Sequence, residues 1–162
     1  MAWYAKTNFS LDIQSTDFLK SDTPNEQYDM VVLWDVIEHL PHPEDFFKKI
    51  HAVLKKDGVV ALTTGDIGSL MAKVQGPQWR LIHPPTHIHY FTRSSMIRFL
   101  KKYGFEVLHI QYPGYFRSIR QMLHGIFGQN KRIWNSLENS SWAGTPVYVN
   151  PFDIMQVVAR KI

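Results

Sequence analysis

Tyr28-Asp29-Met30-Val31-Val32-Leu33-Trp34 is an apolar and β-branched run, interrupted only by Asp29 and closed by Asp35. Apolar side chains at both odd and even positions predict a strand buried on both faces, as in a parallel sheet. The segment immediately after it decides the fold. Pro43 suits the first position of a helix, where its missing N–H has no intrahelical partner. Glu44 and Asp45 lie in the first turn, where the helix dipole favours negative charge. Phe46, Phe47, Ile50, Val53 and Leu54 make one apolar face at helical spacing. Lys55 and Lys56 are expected to close the last turn, with Asp57-Gly58 as the stop. Val59-Val60-Ala61-Leu62-Thr63-Thr64 then reads as a second buried strand. Strand, helix and strand with short connections form a βαβ crossover, so the chain is α/β with a parallel sheet.

Working outward, the alternation Phe9, Leu11, Ile13 predicts an edge strand within Asn8 to Asp17. Ser21 to Gln27 is polar, contains Pro24 and reads as a loop. Downstream, Ile67, Leu70, Met71 and Val74 mark a short amphipathic helix ended by Gly76-Pro77. A loop rich in Pro, His and Trp runs to Phe91. Thr92 caps a helix whose buried face is Met96, Ile97, Leu100 and Tyr103, with Gly104 at its end. Phe105 to Tyr112 and Ile154 to Ala159 read as strands. Ile119, Met122, Leu123 and Ile126 predict one more helix. Gly128 to Thr145 is mixed and polar, with at most a short helix near Trp134.

A chain of 162 residues with a hydrophobic fraction of 44% is enough for one compact domain. It has no cysteine, which excludes disulfide scaffolds, thiolate zinc sites and cysteine nucleophiles. No apolar run approaches the ~20 residues of a membrane span, and Met1 to Lys6 lacks the apolar core of a secretory signal. A cytoplasmic protein is the expectation. Between Arg93 and Arg132 eight basic side chains face Glu106 alone, a local charge of +7 in a chain of net charge +4. That is a solvated helical surface or a site for acidic groups. No basic–aromatic alternation marks a nucleic-acid platform, and neither a P-loop nor a nucleophile elbow is present.

Four segments, in order, resemble class I S-adenosylmethionine-dependent methyltransferases. Tyr28 to Trp34 with Asp35-Val36-Ile37-Glu38-His39-Leu40-Pro41-His42-Pro43 is similar to the fourth strand and following loop, most like the branch of ubiquinone-biosynthesis O-methyltransferases. Leu54-Lys55-Lys56-Asp57-Gly58 and Val59 to Thr64 resemble the family's "L-K-P-G-G" turn and fifth strand. His87-Ile88-His89-Tyr90-Phe91-Thr92 through Gly104-Phe105 resembles the segment before the sixth strand, and Asp153 to Arg160 the closing strand. The family's glycine-rich loop and its acidic ribose-binding residue have no counterpart here. The resemblance therefore implies an incomplete Rossmann-like sheet: the C-terminal strands of a mostly parallel sheet with helices on both faces. Residues 1–162 would be one domain, the C-terminal portion of a methyltransferase domain, with 65–92 and 113–147 as substrate-cap insertions.

By the same resemblance the cofactor is S-adenosylmethionine. Asp17 would accept from the adenine amino group with Phe18 beside the ring, and Trp34, Asp35 and Val36 would complete that flank. Their place at the carboxyl end of a parallel strand has its own warrant, since ligands of open α/β sheets bind there. The competing readings are a polar loop residue for Asp17 and core packing for Trp34. His39 is the candidate base, against a loop-structuring role. Trp79, His83, His87 and Tyr90 are expected to line a cap over a small-molecule or lipid-like acceptor, or simply to pack. His83, His87 and His89 are suitable metal ligands, but two prolines interrupt the run, so no metal is expected there. The exposed edge of the Met30 strand is a site for self-association. The alternatives left open are a non-catalytic domain acting through protein contacts and, more distantly, a histidine-based metal hydrolase.

Overall fold

The computed structural model describes residues 2–11, 13–122 and 140–162. The crossover is present. Strand β1 (Tyr28–Trp34) pairs in parallel with β2 (Leu54–Gly65), and helix α2 (Pro43–Val53) connects them. Pro43 occupies the helix start, with Glu44 and Asp45 in the first turn. Helix α1 (Ala2–Phe9) precedes this unit, and α3 (Leu70–Gln75) and α4 (Arg93–Lys102) come after it. The remaining strands are β3 (Phe105–Gln111), β4 (Tyr115–Ser118), β5 (Pro146–Val149) and β6 (Ile154–Lys161).

The main sheet has the order β1-β2-β6-β3, and β6 runs antiparallel to both neighbours. The fold is thus α/β with an incomplete sheet whose parallel pairing is β1 with β2. Helices α2 and α4 pack on one face. Their Phe47, Ile50, Met96 and Leu100 meet Leu33, Val60, Leu62, Phe105, Met155, Val157 and Ala159 in one core. Thr92 caps α4 through a capping box with Ser95. Residues 119–122 are helical; Leu123, Ile126 and the region near Trp134 lie outside the described residues. Among the described residues no helix is long and apolar enough to cross a membrane.

Several expectations are corrected. Residues 10, 11 and 13–17 contain no strand; Phe9 ends α1, and Leu11 and Ile13 are exposed. Without a neighbouring strand that alternation has nothing to pair with. Strand β1 is not buried on both faces. Val31 and Leu33 pack inward, whereas Tyr28, Met30, Val32 and Trp34 are 41%, 54%, 45% and 51% exposed. Period-2 alternation puts these four on the face away from α2 and α4. Their cross-strand partners Val59, Ala61 and Thr63 continue that face, and Val158 and Gln156 extend it. Among the described residues no strand pairs with the outer edge of β1.

Lys55 and Lys56 belong to β2, not to the end of α2. The helix stops at Val53, and the extra residues form a bulge opposite Tyr28 to Met30. Asp57 takes a left-handed φ of 62° there. A Cβ on Gly58 would lie 2.9 Å from the Lys55 carbonyl, so the bulge needs glycine. Leu70 and Val74 of α3 are 78% and 75% exposed, and the buried residue is Ala72. Ile97 likewise sits near the edge of the α4 face.

Gly104 ends α4 with φ 83°, and a Cβ there would meet the His51 ring at 2.8 Å from Nε2. Gly104→Ala is expected to lower the stability of the fold by about 2 kcal/mol, from left-handed strain and displacement of the imidazole. A urea-unfolding midpoint unchanged from wild type would show that the turn relaxes freely.

Candidate functional site

The carboxyl end of β1 turns sharply. Asp35 has φ 52°. Its amide donates to Thr63 Oγ1 at 3.0 Å, and that hydroxyl donates to Asp35 Oδ1 at 2.8 Å. The neighbouring strand thereby fixes the carboxylate. A 3-10 turn, Ile37–His39, comes next. Ile37 drives into the core and is fully buried, which pins the turn; Glu38 is 5% exposed. The Glu38 carbonyl accepts from the amides of Ile88 and His89 at 2.9 and 3.2 Å. His39 Nδ1 bonds the Thr86 carbonyl at 2.7 Å. A backbone carbonyl only accepts, so Nδ1 carries the proton and Nε2 presents its lone pair. His87 repeats the arrangement on the Leu81 carbonyl at 2.8 Å. The two imidazoles meet edge to face with centroids 4.7 Å apart.

The loop of residues 79–91 holds this geometry because it is tied to the sheet end. Asp153 is fully buried, and its Oδ2 accepts from Trp79 Nε1 at 3.0 Å. Its Oδ1 pairs with the Arg80 guanidinium at 2.8 Å. Trp79 is 1% exposed and lies over Gly65, where a Cβ would fall 3.0 Å from the indole and 2.7 Å from Leu81. Asp66, also buried, donates its amide to the Asp153 carbonyl at 2.8 Å and accepts from the Tyr112 hydroxyl on its carboxylate at 2.7 Å. Burial, and then the hydrogen bond to Asp66, pushes the Tyr112 phenol up to about 12. Glu38, Thr64, Trp79, His87, His89 and Tyr90 share one narrow cleft.

The residues expected from the sequence fall into two groups. His39, His87 and His83 are gathered at the end of the sheet, with His83 and His87 centroids 6.1 Å apart. Tyr90 is tied to the His87 carbonyl through its hydroxyl. Asp17 caps a short turn and accepts from the Leu19 amide. It lines an open trough of about 550 Å³ with Lys20 and Tyr28, and Phe18 lines an adjoining depression with Met30 and Val31. Phe18 stacks near Phe46 of α2 at 5.9 Å. Trp34, Asp35 and Val36 line neither depression. Trp34 is half exposed on the bare face, so core packing does not account for it. Sequence reasoning missed Thr63, Asp66, Tyr112 and Asp153 as structural partners of the site. The signal for Thr63 was its register: it pairs directly with Trp34 across β1 and β2.

The chain is similar in sequence and in fold to known methyltransferases. A family model described as a methyltransferase domain matches residues 4–110. A ubiquinone biosynthesis O-methyltransferase from Glaesserella parasuis serovar 5 is 28% identical over 98 residues, covering 56% of this chain and 42% of that protein. The chain therefore spans less than half the length of that curated relative. A crystal structure of a SAM-dependent methyltransferase from Thermotoga maritima superposes with a TM-score of 0.59 at 15% identity, covering 100% of this chain and 69% of the other. One from Archaeoglobus fulgidus gives 0.59 at 12% identity, over 95% and 69%. The cyclase SpnF gives 0.58 at 16% identity, over 99% and 61%. A cyclase on the same scaffold shows that the fold by itself does not name a reaction.

Two outcomes are expected from these contacts. Asp153→Ala leaves Arg80 and the Trp79 N–H without their acceptor and should cost about 3 kcal/mol in urea unfolding; a loss below about 1 kcal/mol would mean that the pair contributes little. Because the folded pKa of Tyr112 is raised, its contribution is complete below pH 10 and is lost as the pH rises through about 12. Stability measured from pH 9 to pH 12 should fall less steeply in Tyr112→Phe than in wild type.

Proposed function

The chain belongs to the methyltransferase-domain family, and on that premise we propose that it is the acceptor-side portion of an S-adenosylmethionine-dependent methyltransferase acting on a small-molecule or lipid-like acceptor. The observation that carries this reading is the end of β1. A half-exposed Trp34 and an Asp35 braced by Thr63 sit beside a turn whose histidine keeps a free Nε2. The ligand end of a parallel strand is where this scaffold places chemistry.

The residues present fit one flank of the cofactor. Trp34 offers a flat apolar surface beside Val32, and Asp17 a carboxylate for an amino group, with Phe18 near it. S-adenosylmethionine supplies an electrophilic methyl group on a sulfonium. The protein's own part is to hold the acceptor in line with that methyl, which by itself yields much of the acceleration. His39 Nε2 would take the proton that an acceptor hydroxyl or amine loses as its bond to the methyl carbon forms. The loop of residues 79–91, anchored by Asp153, would wall the acceptor side through His83, His87 and Tyr90, with Trp79 as its buried root. Segments 65–92 and 113–147 would shape that side, and sequence carrying a glycine-rich loop would complete the cofactor site.

A second reading has its own support. Met30, Val32 and Trp34 are exposed on a sheet face beside an edge that no strand pairs with among the described residues. Such a surface suits self-association or a partner protein, in which case this portion acts through contacts rather than catalysis.

Calorimetric titration with S-adenosylhomocysteine distinguishes the readings. Binding that Trp34→Ala weakens at least tenfold, about 1.4 kcal/mol, supports the first. No heat at millimolar ligand removes cofactor binding by this chain. Sedimentation velocity then tests the second: a self-associating wild type that Val32→Lys converts to monomer supports it.

A further inference from the structure

We propose that Arg80 and Arg117, both set over the ring of Tyr115, form a binding site for an oxyanion, and that the methyl acceptor is accordingly an acidic molecule bearing a carboxylate or a phosphate. The oxyanion site stands on its own contacts; its assignment to the acceptor rests on this chain's being the acceptor-side portion of a methyltransferase. The guanidinium carbon of Arg80 lies 5.4 Å from the Tyr115 ring centroid and that of Arg117 lies 5.1 Å from it. Both cations therefore stand within reach of one small ligand. They come from two segments, the loop of residues 79–91 and strand β4.

The fold brings these residues together at the end of the sheet where ligands of open α/β sheets bind. Strand β6 runs antiparallel to β2, so Ile154 stands opposite Gly65 and Asp153 lies at the carboxyl end of β2. Arg80 is held there by its ion pair with Asp153. The ribbon of β4 and β5 is rooted beside it. The Tyr112 carbonyl, just before the ribbon, accepts from Asn150 Nδ2 at 2.8 Å. Gly114 donates its amide to the Tyr148 hydroxyl at 3.0 Å. A Cβ on Gly114 would fall 2.5 Å from the Tyr148 ring, so the two arms pass too closely for a side chain there. Tyr115 itself pairs with Val149 of β5. The ring that carries both arginines is thus fixed in place.

The charges gathered here do not cancel. Asp153 opposes an anion, but it is fully buried and both its oxygens are engaged, one by the Trp79 indole and one by Arg80. Asp66, whose amide bonds the Asp153 carbonyl, has its carboxylate taken by the Gly68 amide and the Tyr112 hydroxyl. Arg93 stands close enough to Tyr112 to act on its phenol. Arg117 meets no carboxylate among the described residues. Two buried acids therefore face three arginines, and the surplus positive charge is the one that a ligand anion would balance. The side chain of Arg80 is 32% exposed, so N–H groups not given to Asp153 remain accessible. A guanidinium resting on an aromatic ring keeps its planar donor fork, which matches a carboxylate or phosphate in two parallel bonds. Arg93 and Arg117 both belong to the basic run between Arg93 and Arg132. Their place at the ligand end of the sheet favours a site for acidic groups over a merely solvated surface.

Side-chain NMR of the whole chain tests the site, with benzoate, phenyl phosphate and neutral benzyl alcohol as probes. At least one of the two anions should bind saturably and shift the Nε–H signals of Arg80 and Arg117 together, leaving that of Arg98 on α4 in place. The tighter anion tells a carboxylate site from a phosphate site, and benzyl alcohol should leave both arginines unmoved. Arg117→Gln should weaken the anion roughly tenfold, whereas Arg98→Gln, on the exposed side of α4, should leave it unchanged. Arg117→Lys keeps the charge without the fork and should recover only part of the loss. No saturable shift at Arg80 and Arg117, equal binding of benzyl alcohol, or an equal loss in Arg98→Gln overturns the proposal. Should the Arg117 variants not fold, the wild-type shifts decide by themselves. S-adenosylhomocysteine titrated into the same samples reports separately: its failure removes cofactor binding by this chain and leaves the oxyanion site, while failure of both anions removes the site and leaves the cofactor.

Discussion

The buried carboxylate of Asp153 is the contact on which the site depends. It has no solvent to share its charge, so both oxygens must find donors inside the protein. They find the Trp79 indole and the Arg80 guanidinium, 74 and 73 residues away in sequence. That pairing fastens the start of the histidine loop to the start of β6. The loop then lies across Gly65, which is bare enough to admit the indole, and reaches the turn after β1. There Glu38 receives its amides and His39 and His87 meet. Remove the anchor and the loop loses its reason to lie over the end of the sheet.

The second constraint is what the sheet lacks. Strand β1 has the composition of a central strand and the position of an edge. Its inward residues join a well-packed core with α2 and α4, while Met30, Val32 and Trp34 look into solvent. Natural edge strands are protected by charge, proline or a bulge, and here only Asp29 and the bulge at its start do so. The apolar side chains of Met30, Val32 and Trp34 lie exposed on one face of β1. The solved structures from Thermotoga maritima and Archaeoglobus fulgidus and the cyclase SpnF place 61% to 69% of their own length against this chain. Their remaining length has no counterpart here.

Much of the fold was legible because its signals are local. Pro43 with two acids behind it, Thr92 ahead of Ser95, and Gly104 after the last turn of α4 act within a few residues. The strands β1, β2, β3 and β6 were legible from their apolar runs. The failures were of two kinds. Lys55 and Lys56 went to β2 because a bulge built on Asp57 and Gly58 starts pairing early, and a helix-closing lysine pair looks the same as a strand-opening one. Leu70 and Val74 carry helical spacing but face solvent, since periodicity reports a helix and not the presence of a surface to pack on. The ribbon of β4 and β5 joins segments nearly thirty residues apart and left no short-range trace.

The candidate site divides the same way. Sequence alone determined that a βαβ crossover exists, that Trp34, Asp35 and Val36 end its first strand, and that the chain resembles a methyltransferase in four ordered segments. These conclusions rest on spacing and side-chain type, which are properties of neighbours along the chain. Tertiary structure decided that no described strand pairs with the outer edge of β1, that Asp153 anchors the loop, and that His87 meets His39 across the end of the sheet. The reason is physical. Burial, ion pairing and the choice of imidazole tautomer depend on atoms brought together across the sheet, and no window of sequence contains them.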